Sequence, residues 1–273
     1  MKKNKTFLLS TPYILWMLAF TLIPLGVVVY YALTDSPTTG NFTLDHMKSL
    51  FDYVPALGQS VWFSLISAFI CLLIGYPVAY FIAQQKPIAQ KILYMLVMLP
   101  MCMSFLLRTL AWVGLLQDTG IINSLLGRLG IGPLPLIRTS GAVILGMVYN
   151  YLPYMILPLY AVIVKIDRRL IEAAEDLGCT PVKVFTKVVL PLSVPGILSG
   201  ITMVFVPAVS TFYISQKLGG TDTVLIGDVI ERLFKQANNP NLGAALSLVL
   251  MALVFVCTGI MNRFGGDEEG VVV

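Results

Sequence analysis

The sequence predicts an all-α, polytopic membrane protein with six transmembrane helices, and three observations predict it. The 273-residue chain is 57% apolar and only 12% charged, about half the charge that keeps a typical soluble surface wet. Its mean hydropathy is +0.85. Six stretches contain no Asp, Glu, Lys, Arg or His: 7–31, 61–85, 92–107, 139–164, 188–216 and 238–262. A helix crossing ~30 Å of hydrocarbon needs about 20 mostly apolar residues, and five of the six stretches exceed that. Disorder, a secreted disulfide scaffold and an ordinary soluble enzyme are excluded. The length accommodates one transmembrane domain over 1–273 and no second, soluble catalytic domain. A net charge of +4 is too small and scattered to indicate nucleic acid.

Taken in order, the first span covers 7–31 and follows Met1-Lys2-Lys3-Asn4-Lys5. Its apolar core is far longer than that of a signal peptide and no A-x-A-like site follows, so it reads as a retained anchor. The second span covers 61–83. The third is predicted over 92–116: sixteen uncharged residues run to Leu107, Arg108 interrupts, and the apolar pattern resumes at Thr109–Gln117. An arginine near a helix end can snorkel to the headgroups. The fourth, fifth and sixth spans cover 140–164, 188–214 and 241–262.

Prolines punctuate these spans at 12, 24, 77, 100, 153, 158, 191, 195 and 207, tolerable where neighbouring helices re-satisfy the freed backbone. Pro191 and Pro195, with Gly196 and Gly200, fit both close packing through small residues and a flexing helix that lines a passage.

Orientation follows from the basic residues of short loops. The N-terminus, Lys86 and Lys91, the loop 165–187 and the C-tail hold eleven of the 18 Lys and Arg residues in about fifty positions. Lys48, Arg108, Arg128, Arg138, Lys217, Arg232 and Lys235 occupy nearly ninety positions on the other side. Both termini and the loop 165–187 are therefore expected in the cytoplasm.

No metal site is expected. Cys71, Cys102, Cys179 and Cys257 form no C-x-x-C pair and His46 is the only histidine, so ligands at workable spacing are lacking. The cysteines read as packing thiols. An ion-coupled carrier usually holds an ionisable group inside its spans, and the six stretches hold none. A P-loop, G-x-x-x-x-G-K-[ST], is also absent. Energy for active transport must then come from another polypeptide. A passive channel or secondary carrier is a second class, which would have no need of the loop 165–187, and a membrane scaffold without transport is a third, which leaves that loop without a purpose.

That loop looks structured. Asp167 suits the N-cap of a helix over 168–177, and Gly178 suits the left-handed position that closes it. Thr180 and Pro181 then restart a helix as N-cap and first-turn proline. Leu170, Ala173, Ala174 and Leu177 share one face of the first helix, with Arg168, Glu172, Glu175 and Asp176 opposite. A helix about 15 Å long, bracketed by turns, suits a partner's groove. Three acids on its polar face, Glu172, Glu175 and Asp176, argue against docking on anionic lipid.

Glu172-Ala173-Ala174, Gly178 and Leu190-Pro191 resemble the EAA loop of ABC importer permeases. Val188 stands where that pattern often has isoleucine. Gly75-Tyr76-Pro77, Leu107-Arg108, Gly120-Ile121-Ile122-Asn123, Tyr149, Leu152-Pro153, Pro158-Leu159-Tyr160, Ile166-Asp167, Pro207-Ala208, Phe212-Tyr213, Gly219-Gly220 and Leu225-Ile226-Gly227 are similar to the permeases of spermidine/putrescine importers. The resemblance covers most of the chain. It implies the type I ABC importer permease fold in a bacterial inner membrane. It also implies a second homologous permease, two copies of a cytoplasmic ATPase that carries the ATP and Mg, and an extracytoplasmic binding protein. There is then no cofactor and no catalysis on this chain. Glu172, Ala173, Ala174, Gly178, Leu190 and Pro191 would couple it to the ATPase. Related permeases for other small solutes or ions share the loop.

Two further sets are candidates. Tyr149, Tyr151, Phe212 and Tyr213 could offer ring faces to ammonium groups along a path or pack against neighbouring helices. Asp118, Asp222, Asp228 and Glu231 are expected on the outer side, either as contacts for the binding protein or the arriving cation, or as solvated loop acids. Arg108 would repel a cation and is expected to be structural or to face away.

Overall fold

The computed structural model describes residues 3–34, 42–43, 49–237 and 239–265; Lys2, His46 and Lys48 lie outside the described residues. Thirteen α-helices are described. The first six are α1 (Lys3–Ala32), α2 (Val54–Ala83), α3 (Pro87–Met98), α4 (Phe105–Leu116), α5 (Ile121–Arg128) and α6 (Ser140–Ile163). They are followed by α7 (Arg168–Asp176), α8 (Pro181–Val184), α9 (Leu190–Leu192), α10 (Val194–Val209), α11 (Tyr213–Leu218), α12 (Ile226–Lys235) and α13 (Pro240–Gly265). Short 3₁₀ turns precede α2 and follow α3, and a π-helical turn, Phe185–Val189, joins α8 to α9. The only β pairing among the described residues is a single bridge between Thr34 and Phe42.

Among the described residues, five helical stretches are long and apolar enough to cross a membrane: Thr11–Ala32, Leu50–Ala83, Phe105–Arg128, Ser140–Ile163 and Pro240–Met261. A sixth forms if Pro181–Leu192 and Val194–Val209, which meet at a 63° bend, make one span. The third span differs from the one predicted over 92–116. The chain leaves the helix at Leu99–Cys102, turns extended at Met103 (ψ 148°), and restarts with Ser104 as N-cap. Pro100 has no N–H to give and its ring clashes with the preceding turn, so the helix stops there. The apolar residues before the break form a separate short helix, and the spanning stretch begins at Phe105. The predicted fifth span likewise ends early, at Val209 rather than 214.

The chain divides into two compact units. In the first, Met1–Pro55 with Val229–Leu253, Ala32 packs on Ala244 and Ala245. Asn241 fastens that contact by donating its amide to the carbonyls of Tyr31, at 3.0 Å, and Thr34.

The second unit, Ala56–Asp228 with Val254–Val273, holds the main core, with α6 at its centre. Apolar lipid gives helices little hydrophobic reason to associate, so close approach through small residues becomes the main device. Gly196 and Gly200 of α10 supply it: a Cβ at Gly196 would lie 3.0 Å from Val162, and one at Gly200 would lie 2.7 Å from the Met155 sulfur. Gly146 does the same for α6 beneath Leu218 of α11. Close packing through these glycines is therefore what the structure shows. Outside the helices, Asn123 ties the α4–α5 turn to the following loop by donating to Gln117 O (3.2 Å) and Leu134 O (3.0 Å) and accepting Leu134 N–H (2.9 Å). Gly220 is required because the Arg138 carbonyl occupies the place of its Cβ.

Candidate functional site

The loop between α6 and α10 follows its sequence closely. Asp167 Oδ1 accepts the N–H of Arg169 at 3.0 Å, capping α7. The helix closes as its sequence predicts: Gly178 has φ +81°, its N–H donates to Glu175 O (2.8 Å), and the Cys179 N–H donates to Ala174 O (3.1 Å). These paired bonds satisfy the last carbonyls and need a left-handed residue, which glycine adopts without strain. Thr180 holds the N-cap position of α8 with Pro181 after it, but its hydroxyl makes no capping bond.

The faces of α7 are open. Glu172 and Ala173 are exposed and Ala174 is half-buried. Leu170 is about half exposed and Leu177 is 86% exposed. Val182 on α8 is exposed as well. Arg168 Nε lies 3.7 Å from Glu172 Oε1, with side chains 88% and 62% exposed, a pair worth at most a few tenths of a kcal/mol. The loop thus keeps both charge and apolar surface available. Behind α7 a cavity of about 710 Å³ is lined by Tyr80, Gln90, Ile171, Glu172, Glu175 and Val189, among others.

The six predicted coupling residues fall in two places. Glu172, Ala173, Ala174 and Gly178 sit on α7 and its closing turn. Leu190 and Pro191 lie in α9, just past the π turn and before the bend.

The aromatic candidates are also divided. Tyr151 is buried and its hydroxyl donates to Pro207 O at 3.3 Å. Tyr213 faces Phe105 at 6.2 Å, and Lys217 Nζ stands 5.8 Å from its ring centroid. Tyr149 meets Trp112 edge-on at 5.4 Å and stays partly exposed. Phe212 is exposed and holds the N-cap position of α11.

Of the outer acids, Asp118 and Asp222 are exposed. Asp228 corrects the expectation of a solvated loop acid. It is 6% exposed, and its Oδ2 accepts the N–H of Leu225 at 3.1 Å. Three residues into α12 it reaches back to the residue that caps the helix, while Ser60 Oγ accepts the next N–H, of Ile226, at 2.8 Å. Its visible work is to cap a helix. Glu231 is mostly buried and pairs with Lys235 at 2.8 Å.

Arg108 corrects the snorkelling expectation, though not that of a structural role. The apolar pattern places it at a helix end, free to snorkel. In the structure it lies one turn into α4 and is 7% exposed. Its Nε and Nη1 have no hydrogen-bond partner among the described residues, and neither has Oδ1 of the more deeply buried Asn150 on α6. The signal that could have found it is Pro100 with Ser104, a helix stop and a fresh start that set the register of α4.

Known transport proteins resemble this chain in sequence and in fold. The family model for the inner membrane component of binding-protein-dependent transport systems matches residues 72–265. A spermidine/putrescine transport system permease protein PotB of Haemophilus influenzae is 40% identical over 265 residues, 91% of this chain and 92% of that one. The protein of the same name from Escherichia coli K12 is 38% identical, over 77% of this chain and 78% of its own. The inner membrane ABC transporter permease protein YdcU of E. coli is 29% identical, over 84% and 78%. A bacterial ABC transporter that imports the acidic polysaccharide alginate superposes with a TM-score of 0.81 at 20% identity, covering 96% of each chain. The MetNI methionine ABC transporter superposes at 0.61 and 17% identity, covering 80% of this chain and 96% of that one. At such identities the structures speak for a shared fold.

Proposed function

This chain belongs to the family of inner membrane components of binding-protein-dependent transport systems, and on that premise we propose that it is a permease subunit of an ATP-driven importer of polyamines. The observation that carries the reading is the 40% identity, across nine-tenths of both chains, to a permease named for spermidine and putrescine. The chain is a transport subunit and a multi-pass inner membrane protein. As one permease domain, it forms the translocation path with a second, homologous permease. Both termini and the loop 165–187 face the cytoplasm, the basic side of the sequence. An extracytoplasmic binding protein delivers the cargo.

ATP and Mg²⁺ are held by two copies of a separate ATPase, which docks on α7. The exposed carboxylate of Glu172 meets charge on the ATPase, Ala173 and Ala174 permit close helix approach, and Gly178 holds the turn. Leu170, Leu177 and Val182 supply apolar area that water otherwise covers. Leu190 and Pro191 act further along, where the loop passes into α10. Tyr149 and Phe212 offer ring faces to the cargo, worth about 0.5–2 kcal/mol per ammonium group. Asp118 and Asp222 are the acids placed to meet the binding protein.

Labelled-spermidine uptake tests the reading, in cells deleted for this gene and supplied with wild type or Glu172→Ala. Restoration by wild type alone, at equal membrane levels, is expected. Equal uptake with both chains removes Glu172 from coupling. No uptake with either, with all partner subunits present, removes spermidine as cargo.

A further inference from the structure

One side chain of α2 grips both soft points of the segment between the loop and α10. Phe185 opens the π turn and receives the rings of Tyr76 and Tyr80 edge-on, with centroids 5.5 and 5.7 Å away and ring planes at 85° and 82°. Eight residues later the chain bends by 63° at Ser193, which is completely buried. Ser193 Oγ and the Tyr76 hydroxyl are 2.8 Å apart. Ser193 gives its one hydroxyl proton to Leu190 O at 2.9 Å, so Tyr76 donates to Ser193. The ring of Tyr76 therefore holds the start of the segment and its hydroxyl holds the end.

The physical consequence lies in what such a segment does when pushed. A π turn and a sharp bend near a proline are places where the regular hydrogen-bond ladder is interrupted and a helix yields first. Pro191, between them, withholds a further N–H. A force on α7 would be absorbed at these points unless something spans them. Tyr76 spans them, and α2 is itself firmly seated: a Cβ at Gly75 would lie 3.1 Å from Met155 of α6.

We infer that Tyr76, with Phe185 and Ser193, is the joint that carries motion of the loop 165–187 into α10. It positions the hinge and touches no cargo. The inference rests on the proposed coupling of this loop to an ATPase.

The test uses the chain assembled with its second permease and ATPase in proteoliposomes. Spin labels at Lys183→Cys and Met203→Cys, both exposed positions, report the distance from loop to α10 in a background with the native cysteines replaced. With a joint in place, that distance is the same with and without trapped ATP. Tyr76→Phe keeps the ring and removes the donor, and it is expected to make the distance ATP-dependent. Cargo moved per ATP should fall about five- to tenfold, as expected for one lost buried hydrogen bond. Ser193→Ala should do the same, the double variant should be no worse than either single one, and Ser193→Thr should restore coupling. A distance unaltered by Tyr76→Phe, or one that already changes with ATP in the parent, overturns the joint. A parent that hydrolyses ATP but moves no polyamine removes the proposed cargo, while the distance measurement still decides the joint. A chain that binds no ATPase removes both.

Discussion

Gly200 of α10 lies so close to Met155 of α6 that a Cβ built on it would stand 2.7 Å from the methionine sulfur and 3.3 Å from the Met155 carbonyl oxygen. Met155 is fully buried, so a side chain at position 200 would force the methionine and its backbone to shift within the packed core. The separation of these two helices is set by the absence of a side chain.

Gly200→Val should therefore lower the thermal midpoint in detergent, with a cost of about 1–3 kcal/mol from overpacking. Gly259→Ala is the control, because a Cβ there meets nothing within 4 Å. Equal midpoints for the two variants would mean that α10 and α6 can separate freely.

Gly178→Ala should weaken the closing turn of α7 by about 1 kcal/mol, the cost of forcing a Cβ into the left-handed region. Gly178→Asn should lose less, since asparagine tolerates that conformation. Affinity of the assembled permease for its ATPase is the measurement, and a ranking with alanine above asparagine would contradict the turn geometry.

Asp228→Ala should cost about 0.5–2 kcal/mol as a lost helix cap. Affinity for the binding protein should be unchanged at temperatures where the variant is folded, because the carboxylate is buried rather than presented. Unchanged stability with lost binding would restore Asp228 as a surface contact.

Arg108→Met should leave the thermal midpoint equal or higher, with a gain in stability of up to about 1–4 kcal/mol, since an apolar side chain of similar reach removes a buried charge whose Nε and Nη1 have no partner among the described residues. A fall of the midpoint would show that the guanidinium has an acceptor supplied from outside the described residues.

The loop 165–187 is legible in the sequence because its signals are local. Asp167 caps, Gly178 closes and Pro181 restarts within a few residues, and each outcome depends on backbone geometry that neighbours in sequence dictate. The sequence misleads at the third span, where a run of uncharged residues hides the stop at Pro100, at Arg108, which reads as able to snorkel from a helix end, and at Asp228, which reads as an outer-side acid. The aromatic candidates need tertiary packing for the same reason: Tyr151 turns into the core while Tyr149, two residues away, remains partly exposed.

By itself the sequence determined which stretches can lie in a membrane and where the structured loop interrupts them, since uncharged length and capping residues act without tertiary help. Only the tertiary structure decided which side of each helix faces inward. Hydropathy is blind to rotation when a helix is apolar all round, so the burial of Arg108, the closeness of Gly200 to Met155 and the grip of Tyr76 on Phe185 and Ser193 became visible only once the helices were packed.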